Sequence, residues 1–149
     1  MEIINTTNLN EARKQIQKLK KENRTIIVKA QDYEFNRKLL ENKDINMLLS
    51  PEMHNRKNKL KQRDSGLNEV LCKLAKQNNI QIAINLNEIT KLPKKEKAEV
   101  LARIIQNINL CKRTGTKIII LNKKSKQDIM SLFLSLTAST SQAKQAFFN

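Results

Sequence analysis

Short apolar runs alternate with helical stripes along the chain, and this alternation predicts its fold. The first stripe, Leu9, Ala12, Ile16 and Leu19, has the spacing of one face of an amphipathic helix. Residues 25–30 then form a β-branched, nearly continuous apolar run, as expected for a strand that is buried on both faces. A helix and a second apolar run follow, so the sequence predicts a β-α-β unit and hence a parallel sheet.

The same order repeats to the end of the chain. The predicted strands are 25–30, 45–49, 80–86 and 117–121, with a further candidate strand at 2–4. The predicted helices after the first are 33–42, one beginning at Ser65 as N-cap, one opened by Pro93 and ended by Gly115, 125–136 with Asp128 in its first turn, and one in the tail 137–149 capped near Ser139 or Ser141.

These elements are too few for a closed eight-stranded barrel. Residues 1–149 are the size of a single α/β domain with a right-handed parallel sheet. Two architectures fit the pattern: an open sheet with helices on both faces, and a shortened or incomplete TIM-barrel-like arrangement of βα repeats.

The charge of the chain indicates a polyanionic partner. Lys and Arg number 29 against 14 Asp and Glu, which gives a formal net charge of +15. An excess this large in a short chain favours nucleic acid over an anionic membrane. Only 3% of the residues are aromatic, which argues against a reader that stacks bases on several aromatic platforms, so phosphates and RNA shape are the expected targets.

Two segments concentrate this positive charge. Residues 51–64 lack hydrophobic periodicity and form a basic loop with Arg56, Lys57, Lys59, Lys61 and Arg63. Residues 111–126 carry six cations and no acid: Lys112, Arg113, Lys117, Lys123, Lys124 and Lys126. A merely solvated surface usually mixes both signs, so these clusters favour phosphate contact.

The residues expected at the carboxyl edge of the sheet do not indicate an active site. The loops that follow the strands there carry Gln31, Asp32, Ser50, Glu52, His54, Asn85, Asn87, Glu88, Asn122, Lys123 and Lys124. His54 is the only histidine, and the two glycines form no phosphate-binding loop. The enzymatic alternative is a metal-dependent phosphoesterase that uses Asp32, Glu52, His54 and Asp128.

Cysteine usage and hydropathy exclude other classes. Cys72 and Cys111 are far apart in sequence and suit neither a disulfide framework nor a zinc site, and Cys111 lies on an apolar stripe. No apolar stretch has a membrane-spanning length, and Met1 to Asn5 do not have the layout of a signal peptide, so we expect a cytosolic protein.

One string resembles a known family. The segment from Lys61 to Leu71, with Arg-Asp-Ser-Gly-Leu-Asn at its centre, is similar to ribonuclease P protein component 3, the archaeal relative of the thirty-kilodalton eukaryotic RNase P/MRP protein. The resemblance covers roughly residues 25–125. The other matching positions are Asn36-Arg37, Leu40-Glu41-Asn42, Asp44-Ile45, Leu48-Leu49, Pro51-Glu52, Leu74-Ala75, Ile82 to Leu86, Arg103 and Thr114-Gly115.

The resemblance implies a TIM-barrel-like fold related to the polymerase and histidinol phosphatase type, without that type's metal-binding histidines. It also implies a subunit of ribonuclease P, which removes the 5′ leader of precursor tRNA. The RNA subunit is then expected to perform the cleavage with Mg²⁺, and this chain to bind that RNA beside component 2 and the other protein subunits, with no catalytic residue or cofactor of its own.

The chain also departs from the family pattern. The first βα units of the family have no counterpart, and after Leu121 a lysine-rich segment replaces the usual arginine-containing one. A third hypothesis is therefore a general binder of structured nucleic acid. The residues expected to contact RNA are Arg56, Lys57, Lys59, Lys61, Arg63, Asn68, Arg103, Lys123 and Lys124.

Overall fold

The computed structural model describes residues 1–122 and 124–148 as alternating strands and helices. The elements in chain order are β1 (Ile3–Ile4), α1 (Leu9–Lys21), β2 (Ile27–Lys29), α2 (Tyr33–Leu40), β3 (Met47–Leu49), α3 (Glu69–Gln77), β4 (Gln81–Ile84), α4 (Leu86–Thr90), α5 (Lys94–Thr114), β5 (Ile118–Ile120), α6 (Lys126–Ser135) and α7 (Thr140–Gln145). The predicted α/β class is confirmed, and the candidate strand near the N-terminus is present.

Within the described residues the strands form one parallel sheet in the order β1-β2-β3-β4-β5. Each strand pairs with the next one along the chain, as in consecutive βα units of a barrel, whereas a doubly wound sheet reverses its order part-way. Residues beyond α7 extend the β5 edge, because Ile120 donates its N–H to the Ala146 carbonyl at 2.8 Å and bridges to Phe147.

The two faces of the sheet differ in what covers them. Alternate strand residues such as Val28, Leu48 and Ile82 join the large core formed with the helices. The intervening residues face the other way and pack in a small second cluster against the partly buried Leu121 and Phe148: Ile27, Met47, Leu49, Ala83 and Ile119. The helical layer therefore carries most of the core, as in a segment of a barrel wall.

Two predicted boundaries were wrong. Asn68, not Ser65, caps α3, because the Asn68 side chain accepts the Leu71 N–H at 2.9 Å while the buried Ser65 hydroxyl bonds to the Leu67 carbonyl. The predicted strand 80–86 ends at Ile84, because Asn85 caps the short helix α4 through the Asn87 N–H. The Pro93, Gly115, Ser125 and Ser139 boundaries are confirmed.

Both glycines adopt a left-handed backbone but differ in their surroundings. Gly115 has φ 74° at the end of α5, where an added Cβ would lie 3.6 Å from the Lys76 side chain. Gly66 has φ 83°, and an added Cβ would lie 1.8 Å from the Pro51 carbonyl oxygen. Only Gly66 therefore permits a backbone-to-backbone approach.

We expect Gly66→Ala to destabilise the protein much more than Gly115→Ala. In the Gly115 variant the main penalty is that of holding alanine in the left-handed conformation, a loss of about 1–2 kcal/mol of stability. The Gly66 variant must also move the Pro51 backbone, which should bring its total to about 3 kcal/mol or more. Urea denaturation of both variants measures the difference, and equal losses would contradict the close approach.

Candidate RNA-binding groove

The basic loop 51–64 is fastened to α5 by side chains that bond to its main chain. Arg103 donates to the carbonyls of Glu52 at 3.1 Å and His54 at 2.9 Å. About one turn further along α5, Gln106 donates to the Arg63 carbonyl at 3.1 Å, and Asn107 donates to the carbonyl of Ser65, just after the loop, at 3.0 Å. These three positions have i, i+3, i+4 spacing and hence share one helix face. We call Arg103, Gln106 and Asn107 the α5 clamp.

Hydrogen bonds also hold the loop to itself through His54. The His54 Nδ1 atom accepts the Arg56 N–H at 3.1 Å, so Nε2 carries the proton and donates to the Asp64 carbonyl at 2.8 Å. Burial, followed by the positive charge of Arg56, lowers the pKa of His54. The ring is therefore a neutral structural bridge between the two ends of the loop.

Asp64 and Arg56 form the second internal link. Arg56 Nε donates to an Asp64 carboxylate oxygen at 3.0 Å, and the Gly66 N–H donates to the other oxygen at 2.9 Å. Partial burial acts to raise the pKa of Asp64, but these hydrogen bonds and the Arg56 charge outweigh it and lower the pKa. Arg56 also donates to the Gln31 carbonyl at 3.3 Å and so joins the loop to the start of α2.

The clamped loop, α3 and α5 enclose a groove of about 910 Å³ with a basic lining. Its cations come from both predicted clusters: Arg56, Lys59, Arg63, Lys112 and Arg113. Its two acids, Asp64 and Glu69, are paired with Arg56 and Lys73. The fold thus brings together charges that are about fifty residues apart in sequence, and leaves the groove with a surplus of positive charge.

The structure separates the predicted RNA-contacting residues into groups. Arg56, Lys59, Arg63 and Asn68 line the groove, whereas Lys57 and Lys61 are exposed on the loop outside its lining. Lys124 is exposed beyond β5, away from the groove, and Lys123 lies outside the described residues. Lys112 and Arg113, part of the second charge cluster, join the groove instead.

Arg103, one of the residues expected to contact RNA, lies buried beneath the loop. Its side chain is only 5% exposed, and its guanidinium bonds to two loop carbonyls and to Glu99 at 3.2 Å. A side chain so buried and so occupied supports the loop from beneath and does not present its charge to RNA. The sequence signal for this role was present, since Arg103 and Asn107 interrupt an otherwise apolar helix face beside Ile104 and Ile108.

The comparisons with known proteins fit this geometry. No family model matches the chain. It is 32% identical over 117 residues to ribonuclease P protein component 3 of Methanococcus vannielii, and 28% identical over 117 residues to that of Methanococcus maripaludis, in each case over 78% of this chain. The resemblance to component 3 is confirmed. The chain spans about half the length of these relatives, 48% and 47%.

Solved structures resemble this chain in fold. A chain in the cryo-EM structure of archaeal ribonuclease P with mature tRNA matches with a TM-score of 0.80 at 20% identity, over 97% of this chain and 62% of that one. An uncharacterised protein of known crystal structure matches with a TM-score of 0.59 at 10% identity, over 93% of this chain and 34% of that one.

No helix in the described residues is both long enough and apolar enough to cross a membrane. Among the same residues, no group of three or more His, Cys, Asp or Glu side chains is placed to hold a metal ion.

We expect Arg103→Ala to loosen the basic loop. Two loop carbonyls would lose their donor, which should cost about 2–4 kcal/mol of stability and let trypsin cleave the main chain after the five Lys and Arg residues of the loop. Limited proteolysis followed by mass spectrometry reports the cleavage sites. Glu99→Ala is the matched control, because it removes only the ion-pair partner on the exposed side of Arg103 and should leave the loop resistant.

The buried carboxyl group of Glu52 should make the stability of the protein depend on pH. Its side chain is fully buried below the loop, and burial raises the pKa of Glu52 to about 7 from an ordinary value near 4.5. The folded protein therefore prefers the protonated form. The stability contributed by this preference is complete below about pH 4.5 and is lost as the pH rises to about 7, on the order of 3 kcal/mol.

Glu52→Gln should remove this dependence, since the amide cannot ionise. Urea denaturation of both proteins at pH 5 and pH 8 measures it, and the variant should gain stability relative to the parent at pH 8. Parallel pH profiles for the two proteins would show that the pKa of Glu52 is the same in the folded and unfolded states, and would contradict the shift.

Proposed function

We propose that this chain is a protein subunit of ribonuclease P that binds and stabilises the catalytic RNA, so that the complex cleaves the 5′ leader from precursor tRNA. The supporting observation is the basic groove, found in a chain related to component 3. The RNA, with Mg²⁺, performs the cleavage, and this chain acts together with component 2 without contributing a catalytic residue.

The charge of the groove gives this role a physical basis. RNA folding brings phosphates close together, and their repulsion is reduced when fixed cations displace condensed counterions. Arg63 and Arg113 are exposed side chains on a loop and a helix that are tied together, so they can neutralise phosphates at little further cost in conformational entropy. A subunit of this kind lowers the magnesium concentration that the RNA needs.

The phosphoesterase alternative has weaker support. His54 uses both ring nitrogens in bonds to the main chain, and Asp32 caps α2 by accepting the Phe35 N–H at 2.8 Å. Glu52 is buried, and Asp128 lies in the first turn of α6, a different part of the chain. Metal analysis and phosphatase assays of the protein without RNA distinguish this alternative, because stoichiometric metal with activity would favour it.

The decisive experiment is cleavage of precursor tRNA by the cognate ribonuclease P RNA and component 2 at limiting magnesium, with and without this chain. We expect stimulation that requires both proteins. The double variant Arg63→Ala/Arg113→Ala should lose most of it and flatten the plot of log binding constant against log salt by about 1.5 for two phosphate contacts.

The matched control is Lys14→Ala/Lys18→Ala on α1, which removes the same charge outside the groove lining. It should keep the stimulation. Equal loss in both double variants would mean that only the overall charge matters. Equal binding to unrelated structured RNA, without stimulation, would favour the general nucleic-acid binder.

A further inference from the structure

Tyr33 gives the groove a chemical feature that a phosphate site does not need. It is the only tyrosine in the chain, which has no tryptophan, and it lines the groove with its side chain partly exposed, 38% by residue. A large aromatic residue at a basic surface is a platform on which a nucleobase can stack. The low aromatic content of the sequence gave no reason to expect such a platform.

Neighbouring contacts fix the position of Tyr33. It is the first residue of α2, whose N-cap is Asp32, and the Arg56 guanidinium bonds to the Gln31 carbonyl two residues earlier. Arg37, one turn along α2, donates to Glu41 at 3.0 Å. The ring is therefore held beside the clamped loop, with the cation Arg56 also lining the groove.

The cations around the groove are placed on both sides of α3. This helix packs against α2, which carries Tyr33, and against α5, which carries Lys112 and Arg113. Arg63 lies beside α5, because its carbonyl accepts a hydrogen bond from Gln106 of that helix. A ligand along the groove would meet an aromatic ring at one side and a group of cations at the other.

An aromatic ring beside a group of cations suits unpaired RNA better than paired RNA. An A-form duplex keeps its bases stacked inside and offers its phosphates and ribose hydroxyls, so it would use the cations and leave the ring without a partner. An unpaired segment offers both a phosphate chain and a free base face. The groove chemistry matches the second ligand on both counts.

We propose that the groove binds an unpaired segment of RNA, with one base stacked on Tyr33 and the adjoining phosphates neutralised by Arg63, Lys112 and Arg113. This inference rests on the proposed RNA-binding function and adds the strandedness of the ligand. The ring contact is independent of base identity, because every base has a stacking face.

Tyrosine fluorescence tests the proposal directly, because Tyr33 is the single emitter of its kind in the chain. The full-length chain is titrated with a short single-stranded oligoadenylate, with an abasic ribose-phosphate oligomer of equal length, and with a blunt RNA duplex. We expect the oligoadenylate to quench the emission and to bind about tenfold or more tightly than the abasic oligomer. The duplex should leave the emission unchanged.

Variants at the same position separate stacking from folding, with binding read from the fluorescence anisotropy of end-labelled oligomers because these variants lack the tyrosine. Tyr33→Phe should keep the tenfold preference over the abasic oligomer, and Tyr33→Leu should abolish it while circular dichroism and weak binding through the cations persist. If Tyr33→Leu keeps the preference over the abasic oligomer although the oligoadenylate quenches the parent, or if the parent binds the duplex with equal affinity, the inference is overturned and RNA binding is left intact. Failure to bind any of the three RNAs would instead count against the proposed function itself.

Discussion

The position of the basic loop depends on the α5 clamp, in which three side chains of one helix satisfy carbonyls of a segment without regular structure. A loop of this length has many backbone acceptors to satisfy, and those that are shielded from water need donors. Arg103, Gln106 and Asn107 supply them from a helix that is itself packed on α3. The same hydrogen bonds that satisfy the main chain turn the cationic side chains outward, so one interaction both stabilises the fold and forms the groove.

The clamp also explains the unusual electrostatics beneath the loop. Arg103 introduces a guanidinium into a nearly water-free site, where its charge is offset by two carbonyl dipoles and by Glu99 at the surface. The Glu52 carboxyl lies nearby, yet neither of its oxygens accepts a hydrogen bond from another residue in the described part of the chain. The desolvation penalty on the Glu52 carboxylate exceeds the stabilisation that the charges of Arg103 and Lys29 give it, so burial favours the protonated form.

Sequence patterns predicted the elements better than the site. Ile/Val runs and helical stripes have fixed periods, so strands at 27–29 and 118–120 and the end of α5 at Gly115 could be predicted from residue type alone. The N-cap of α3 could not, because Ser65 and Asn68 are both good caps, and it is tertiary packing that buries Ser65, whose hydroxyl donates to the Leu67 carbonyl instead. Likewise, the burial of Arg103 and the exposure of Tyr33 follow from tertiary packing, and an arginine or a tyrosine taken alone is compatible with either environment.

The carboxyl edge of the sheet shows why the proposed RNA-binding surface lies among the helices. In parallel α/β proteins this edge usually holds the ligand. Here several of its polar groups bind one another: Lys29 Nζ lies 3.4 Å from a Glu88 oxygen, Asn85 donates to Glu88 at 3.2 Å, and Asn122 donates to Asn85 at 3.1 Å. Groups that are already paired have little to gain from a ligand, since each new bond would break an existing one. The groove beside α3 instead carries the exposed cations Arg63, Lys112 and Arg113, where the proposed RNA ligand would replace only water and counterions.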